Sequence, residues 1–467
     1  MNTASTYSPN RLGYYAQGQL DTLRFGTKDK SQELAKLEKE SPVVDLFIQM
    51  ARKPTVTITG SEPDVALRQE KLSAFKEWLK QTLPGLGISV SKVEETPLGA
   101  VVFKIPGHGR YANQPPVLLN AHYDIVAASG QSPDTPIDPV LTEENGEPWL
   151  ATNGKTSLGA DNKAGLAMIL DAVRRVTGNH PTQKTPVDHP PIELLFTPDE
   201  ESTNNSLRPE NFDPKMLESQ TAIVVDAFDP MTVFRKMAGA TIVNVSVERS
   251  QPGGHSGVNA HTLGKTVYDA NAAAADLLAN RLPKWTVDAN PDNPGGFDTS
   301  INWGKLQGAT APNAIADKAV IGGNFRSFSP EKKAVVEAKI KDAVRQAEAD
   351  YQKTDPHIQL KLSLMDKFPP WTNPSTFLRN IAKTVGKALG QDVKDTGMPA
   401  SAISNIIGNF KNKHGKGIDT ILMGPKIIGA HSGAERVNVN SMKQGADWLY
   451  GMIQEIGKQQ EAKASNS

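Results

Sequence analysis

The sequence contains no cysteine among its 467 residues. Disulfide bonds and thiolate metal ligands are therefore excluded, and any metal site must be built from histidine and carboxylate side chains. Neither charge is in excess, because the sequence has 51 lysine and arginine residues and 51 aspartate and glutamate residues. A balanced charge argues against nucleic acid and against an anionic membrane surface as a partner.

Long hydrophobic runs are also missing. No apolar stretch approaches the roughly 20 residues that a membrane-spanning helix requires. The first ten residues, MNTASTYSPN, have neither the basic nor the apolar region of a signal peptide. We therefore expect a cytoplasmic protein with no membrane partner. The chain is too long for one ordinary hydrophobic core, which predicts two domains.

The sequence does contain a series of histidines and carboxylates that follow strand-like apolar runs. The segments are AHYD at 121–124, SLGADNKAG at 157–165, FTPDEES at 196–202, IVVDAFD at 223–229 and GAHSGAERV at 429–437. Ligand sites of open α/β sheets lie beyond the carboxyl ends of the strands. The pattern therefore predicts that these polar side chains meet in one place.

The first two segments present their polar residues differently. His122 and Asp124 follow an apolar run, and in extended backbone both side chains point to the same face. The carboxylate would orient a metal-binding imidazole, although this spacing also suits a surface turn. Asp161 precedes a helical apolar repeat. It is either an N-cap or an ionised, rigidly held carboxylate, which a bridge between two cations requires.

Three adjacent acidic residues follow the third apolar run. Pro198 ends the predicted strand, and Asp199, Glu200 and Glu201 come next. One interpretation is a solvated loop in which the charges repel one another through water. The other divides the roles, with one glutamate binding metal and its neighbour acting as general base toward a metal-bound water.

Two further candidates lie downstream. Asp226 follows the apolar run at 222–225, and His431 follows the run ILMGPKIIGA. Glu435 comes four residues after His431 and is a candidate orienting partner for that ring. Taken singly, each of these residues also suits an ordinary loop.

Taken together, the motifs resemble the co-catalytic zinc exopeptidases and amidohydrolases, which include peptidase T, carboxypeptidase G, aminoacyl-histidine dipeptidase and the aminoacylases. NGKTSLGADNKAG at 153–165 and FTPDEE at 196–201 are most similar to peptidase T. Two segments depart from the usual pattern. HYDIV at 122–126 replaces the more usual His-x-Asp-Thr-Val, and DAFDP at 226–230 lacks the glycines that usually follow the aspartate in peptidase T.

The resemblance implies a role for each candidate. The implied metal ligands are His122 and Asp226 for one ion, Glu201 and His431 for the other, and Asp161 as the bridge. Glu200 would be the general base and Asp124 the orienter of His122. The implied cofactor is two zinc ions per chain, with cobalt or manganese as alternatives because the ligand set has no thiolate to discriminate among them.

The order of predicted elements favours an α/β fold with two domains. Strands alternate with helices through residue 237. The next segment reads as strand, helix (263–282), strand, strand, helix and strand, which is the ferredoxin-like order. The resemblance implies the same architecture, with a zinc-exopeptidase-type catalytic domain formed by residues 1–237 and 368–467. Residues 238–367 would be an inserted lid and dimerisation domain.

Three residues of the inserted segment match family motifs or suit a substrate contact. His255 lies in GGHSG, Asn313 in APNAI, and Arg326 at a predicted strand end. Each also suits an ordinary turn, loop or surface position. The resemblance implies that His255 stabilises the oxyanion in the other subunit of a homodimer and that Asn313 binds substrate. Arg326 would bind a substrate carboxylate.

The expected function is two-metal hydrolysis of amide bonds in short peptides by an aminopeptidase-type di- or tripeptidase. An N-acyl-amino-acid amidohydrolase or a dipeptidase would use the same mechanism. A non-catalytic metal- or peptide-binding protein on the same fold is the third alternative. The complete ligand set and the presence of Glu200 argue against that third alternative.

Overall fold

The computed structural model describes residues 30–58, 64–259, 261–284, 287–308 and 311–465. Its helices are α1 Ser31–Glu40, α2 Pro42–Ala51, α3 Val65–Gly85, α4 Ala160–Val176, α5 Ala270–Asp276, α6 Pro330–Gln352, α7 Phe377–Ala388, α8 Ser404–Ile407 and α9 Val439–Ser465. None of these helices combines the length and the hydropathy that a membrane crossing needs.

The strands in the first half of the chain are β1 Lys92–Glu95, β2 Val101–Ile105, β3 Val117–His122, β4 Val140–Glu144, β5 Glu147–Ala151, β6 Ile192–Thr197, β7 Thr221–Val225, β8 Thr232–Met237 and β9 Gly239–Arg249. Those in the second half are β10 Val287–Ala289, β11 Phe297–Gln307, β12 Lys318–Ser327, β13 Ile358–Phe368, β14 Trp371–Thr372, β15 Lys394–Met398, β16 Asp419–Met423, β17 Ile427–Ile428 and β18 Arg436–Asn438.

The largest sheet confirms the predicted α/β class. Its order is β1-β2-β6-β3-β7-β16-β8-β14, and β15 pairs with β8. The four central strands β6, β3, β7 and β16 are parallel. A parallel sheet is buried on both faces, and β3 shows this directly. Val117 and Leu119 face the core that contains α4 and α9, whereas Leu118 faces the opposite core.

The N-terminal helical region consists of two helices, α1 and α2, separated by a single residue. Ser41 between α1 and α2 has extended backbone angles (φ −128°, ψ 98°). The cause is Pro42, whose ring disfavours a helical conformation in the residue before it and whose nitrogen donates no hydrogen bond. Pro42 therefore ends one helix and occupies the first turn of the next.

A separate antiparallel sheet has the order β10-β11-β12-β9-β13. Helices α5 and α6 pack against it, and its four long strands follow the ferredoxin-like order. The helix predicted over 263–282 is wrong in extent. It begins at Ala270 because Asp269 accepts hydrogen bonds from the N–H groups of Asn271 and Ala272. A π turn follows α5 at Leu277–Arg281.

A third sheet, β17-β18-β5-β4, has no counterpart among the predicted elements. Its signal was the pair Asn145 and Gly146, which both have positive φ between β4 and β5. Asn-Gly between two short strands is typical of a tight hairpin. This sheet contributes to the site because β17 and β18 anchor the ends of the loop that carries His431.

The sheet β10-β11-β12-β9-β13 and the helices α5 and α6 form the smaller domain of the protein. An ion pair is buried in this smaller domain. Arg249 Nε lies 2.8 Å from Asp355 Oδ2, and the side chains are 2% and 0% exposed. Asp355 also accepts hydrogen bonds from the N–H groups of Tyr268 and His357. The carboxylate therefore joins the end of β9, the approach to α5 and the approach to β13.

Asp355→Ala is expected to lower the free energy of unfolding by about 3–5 kcal/mol, because Arg249 would stay buried without its counter-charge. Denaturant unfolding measures the loss. The matched control is Asp288→Ala, which removes the exposed pair with Lys332 and should leave the free energy of unfolding close to that of the wild type. Equal losses in both variants would contradict the structural role of the buried pair.

Candidate active site

The polar segments of the sequence meet at the carboxyl edge of the parallel strands. His122 is the last residue of β3, Asp226 directly follows β7, and the acidic residues 199–201 follow β6. Asp161 lies in the first turn of α4, and His431 lies in the loop between β17 and β18. The sheet thus brings together side chains that are as many as 309 residues apart in the sequence, from position 122 to position 431.

Asp161 is the centre of the cluster. Its Oδ1 lies 3.2 Å from His122 Nε2, and its Oδ2 lies 3.1 Å from His431 Nε2. A second carboxylate completes each half: Asp226 Oδ1 is 3.4 Å from His122 Nε2, and Glu201 Oε1 is 2.9 Å from His431 Nε2. The two oxygens of one aspartate therefore face two separate histidine–carboxylate pairs.

Asp161 does not cap its helix. Its backbone angles (φ −85°, ψ 97°) are not helical, and its carboxylate points to the histidines. Glu435 stabilises this turn by accepting hydrogen bonds from the N–H groups of Gly159 (2.8 Å) and Asp161 (2.9 Å). The predicted pairing of Glu435 with His431 is wrong, because Glu435 faces these backbone amides while His431 Nε2 faces Asp161 and Glu201.

Asp124 performs a comparable task on the other side. Its Oδ1 accepts a hydrogen bond from the Glu200 N–H and its Oδ2 one from the Glu201 N–H, both at 3.0 Å. His122 Nδ1 lies 3.0 Å from the Asp124 carbonyl oxygen and 3.3 Å from Oδ1. One buried carboxylate thus orients an imidazole and positions the backbone of two neighbouring glutamates.

The three adjacent acidic residues have separate surroundings. Asp199 turns toward Ser206, accepting hydrogen bonds from its N–H and its hydroxyl, and burial raises the pKa of Asp199 to about 6. Glu201 reaches His431. Glu200 is 7% exposed. Among the described residues, its carboxylate receives no hydrogen bond, which leaves both of its oxygens able to accept a proton.

Burial and the close approach of charged side chains shift the pKa values of the cluster. Burial raises the pKa of Asp226 to about 7, and burial followed by repulsion from Asp161 raises that of Glu201 well above its usual range. Burial alone would lower the pKa of His122, but Asp226, Asp124 and Asp161 outweigh it and raise the pKa. Hydrogen bonds to Asp161 and Glu201 raise the pKa of His431 to about 11.

The donor set fits divalent metal ions. One ligand atom from each of His122, Asp161 and Glu201 lies within 4.8 Å of the others. Ligand atoms about 2.0–2.2 Å from a tetrahedral zinc ion are about 3.3–3.5 Å apart, close to the nitrogen–oxygen separations found here. The raised pKa values of Asp226, Glu201 and the two histidines also fit, because a cation stabilises the deprotonated ligands in place of protons.

The predicted residues of the smaller domain lie elsewhere. His255 and Asn313 belong to adjacent loops, because Ser256 N–H donates to the Asn313 carbonyl at 2.9 Å. Arg326 Nη1 donates to Ser401 Oγ at 3.0 Å and so links the smaller domain to the loop before α8. No hydrogen bond or ion pair between described residues joins His255 or Asn313 to the cluster around Asp161.

A family model described as peptidase family M20/M25/M40 matches residues 118–455. Peptidase T of Salmonella enteritidis is 32% identical over 217 residues, which is 46% of this chain and 48% of that protein. The match therefore spans about half the length of that relative.

Solved structures extend the comparison over most of the chain. A tripeptidase from Staphylococcus aureus superposes with a TM-score of 0.69 at 18% identity, covering 90% of this chain and 99% of that one. A protein of Bacillus subtilis described as a dinuclear metal-binding peptidase superposes with a TM-score of 0.56 at 14% identity, covering 91% and 99%. At these identities the likeness shows the fold.

Asp124→Asn is expected to weaken zinc binding by about 10–100-fold, as loss of an orienting partner typically does. An asparagine accepts through one oxygen only, so one of the glutamate N–H groups would face an NH₂ group. Competition with a chromophoric chelator measures the affinity. Asp199→Asn is the control in the same loop, since Asp199 faces Ser206, and its zinc affinity should match that of the wild type.

Proposed function

Because this chain belongs to the peptidase family M20/M25/M40, we propose that it is a two-metal-dependent hydrolase that cleaves short peptides from their amino end. The observation that carries the proposal is that each oxygen of Asp161 faces a different histidine–carboxylate pair. The similarity to Peptidase T supports the substrate class.

In this proposal His122 and Asp226 would hold one ion, Glu201 and His431 would hold the other, and Asp161 would serve as a ligand to both. Two divalent ions, when bound, lower the pKa of a shared water toward about 7 and polarise the scissile carbonyl. Zinc suits the imidazole and carboxylate donors, and cobalt or manganese are alternatives.

Glu200 would do the proton transfer. It is buried, and burial raises the pKa of its carboxyl group, which favours a group that must take up and release a proton. The carboxylate would accept a proton from the water as the water oxygen attacks the peptide carbonyl. It would then deliver that proton to the amine that leaves as the C–N bond breaks.

The smaller domain would select the substrate. His255 and Asn313 lie on neighbouring loops, and in a homodimer we expect His255 to donate to the developing oxyanion in the partner subunit. Arg326 would bind a substrate carboxylate, in competition with its contact to Ser401. The zinc cluster would then set the chemistry while these loops set the length and ends of the peptide.

Replacing the two adjacent glutamates separates the base from the ligand. Glu200→Gln should bind two zinc ions per chain, as the wild type should, yet lose activity by about 10²–10⁴-fold or more, because only the proton acceptor is removed. Glu201→Gln should bind one zinc ion less tightly. Elemental analysis and kcat measure the two effects. Near wild-type kcat in Glu200→Gln would falsify the assignment of the base.

The substrate class follows from a panel of related amides. The zinc-loaded enzyme should hydrolyse a free Leu-Gly-Gly tripeptide faster than a dipeptide and should not act on the N-acetylated tripeptide, because an aminopeptidase recognises a free amino end. Removing the metal with a chelator should abolish turnover, and restoring zinc should recover it.

An N-acetyl amino acid completes the panel and tests the alternative. Preference for this substrate would show an N-acyl-amino-acid amidohydrolase, which uses the same cluster with a different substrate end. Inertness toward every amide, with two zinc ions bound, would leave a metal- or peptide-binding protein on the same fold.

A further inference from the structure

Lys163 is a fully buried lysine two residues after Asp161. Its exposed fraction is 0%, and burial lowers its pKa to about 7. Lysine is almost never buried completely without a partner. The partner here is a backbone carbonyl, because Lys163 Nζ donates to the oxygen of Lys53 at 2.6 Å. A residue of the α4 helix is thereby bonded to the segment that follows α2.

That segment runs beside the loop that follows His122. The Thr57 N–H donates to the Ile125 carbonyl at 2.9 Å, and the Ile125 N–H donates to the Thr55 carbonyl at 3.0 Å. Thr55 Oγ1 also donates to the Tyr123 carbonyl at 2.5 Å. Residues 55–57 therefore hold the backbone on both sides of Asp124.

A second connection leads to the same loop. The Lys163 ammonium lies 5.2 Å from the centre of the Phe75 ring. Phe75 in turn stacks on Tyr123, with ring centres 5.5 Å apart and an interplanar angle of 25°. Lys163 is thus linked through the backbone and through an aromatic pair to the two neighbours of Asp124.

The charge of the ammonium points the same way. The carboxylates that act on it are Glu435 and Asp124. Both of these carboxylates accept backbone N–H groups, Glu435 from the Asp161 turn and Asp124 from the turn of the two glutamates. The Lys163 ammonium therefore attracts the two carboxylates that hold these two turns.

We propose that Lys163 is a positioning residue of the metal centre, which joins α4 to segment 53–57 and so fixes His122 and Asp124 relative to Asp161. The proposal rests on the proposed function in one respect, namely that the cluster binds metal. An apolar side chain of equal length would fill the same space but would leave the Lys53 carbonyl without its donor and the loop without its anchor.

The test compares Lys163→Met with Lys104→Met. Lys104 Nζ also donates to a backbone carbonyl, that of Met216 at 2.8 Å, but it lies beside Glu193 at the opposite end of β6. Both variants lose an ammonium and a hydrogen bond to a carbonyl. The first measurement is amide hydrogen exchange of the metal-free protein, and the second is zinc affinity by chelator competition.

Lys163→Met should speed exchange of the Thr57 and Ile125 amides by about 10-fold or more relative to the Leu422 amide at the centre of the sheet. It should also weaken zinc binding by about 10–100-fold, the range typical for residues that orient metal ligands. Lys104→Met should change neither these relative exchange rates nor the zinc affinity. Thr55→Val, which removes only the hydroxyl bond to Tyr123, should shift both measurements in the same direction as Lys163→Met.

Unchanged exchange at Thr57 and Ile125 in Lys163→Met would overturn the proposal, as would a uniform rise that Lys104→Met reproduces. If Lys163→Met does not fold, Thr55→Val decides, and wild-type exchange and zinc affinity in that variant overturn the proposal. A wild-type protein that binds none of zinc, cobalt and manganese would refute the proposed function, while the exchange measurement would still test Lys163.

Discussion

The structure depends on confining several carboxylates within a few ångströms of one another. Two like charges 4 Å apart repel by about 4 kcal/mol at an effective dielectric constant near 20, so each carboxylate needs a compensating partner. Asp161 has one histidine at each oxygen. Asp124 and Glu435 accept backbone N–H groups instead. The site therefore contains two kinds of carboxylate, those that face the cluster and those that hold its backbone in place.

Strand order determines which residues can share a cation. In the sheet, β3 lies between β6 and β7 and ends at His122. The loop with Glu200 and Glu201 therefore lies on one side of His122, and Asp226 lies on the other. Neighbouring strands are about 4.8 Å apart, a distance that one side chain can span. His431 lies eight residues beyond the end of β16, the parallel strand beside β7, in a loop whose two ends are held by β17 and β18 of a different sheet.

The apolar runs predicted that these residues would cluster, because the polar residues that follow strands of an open α/β sheet lie at the same edge of that sheet. The pattern could not assign Glu435, since acceptance of N–H groups from residues 159 and 161 depends on a contact across more than 270 positions. The helical repeat places Lys163 on the same face as Leu166 and Leu170. The repeat could not show its partner, because the Lys53 carbonyl lies 110 positions away in the sequence. Local capping by Asp269, rather than apolar periodicity, decided where α5 begins.

The separation of the cluster from the smaller domain explains why chemistry is easier to infer than specificity. Most of the side chains of the cluster follow the ends of strands that the sheet fixes, whereas His255 and Asn313 come from loops that contact one another. Asn405 bonds the carbonyls of Ala238 and Pro369, the two places where the chain passes between the domains. The path of the chain into and out of the smaller domain therefore depends on a single amide side chain, whereas the histidine and carboxylate cluster depends on the ends of the parallel strands. Chemistry and specificity can thus be set by different parts of one fold.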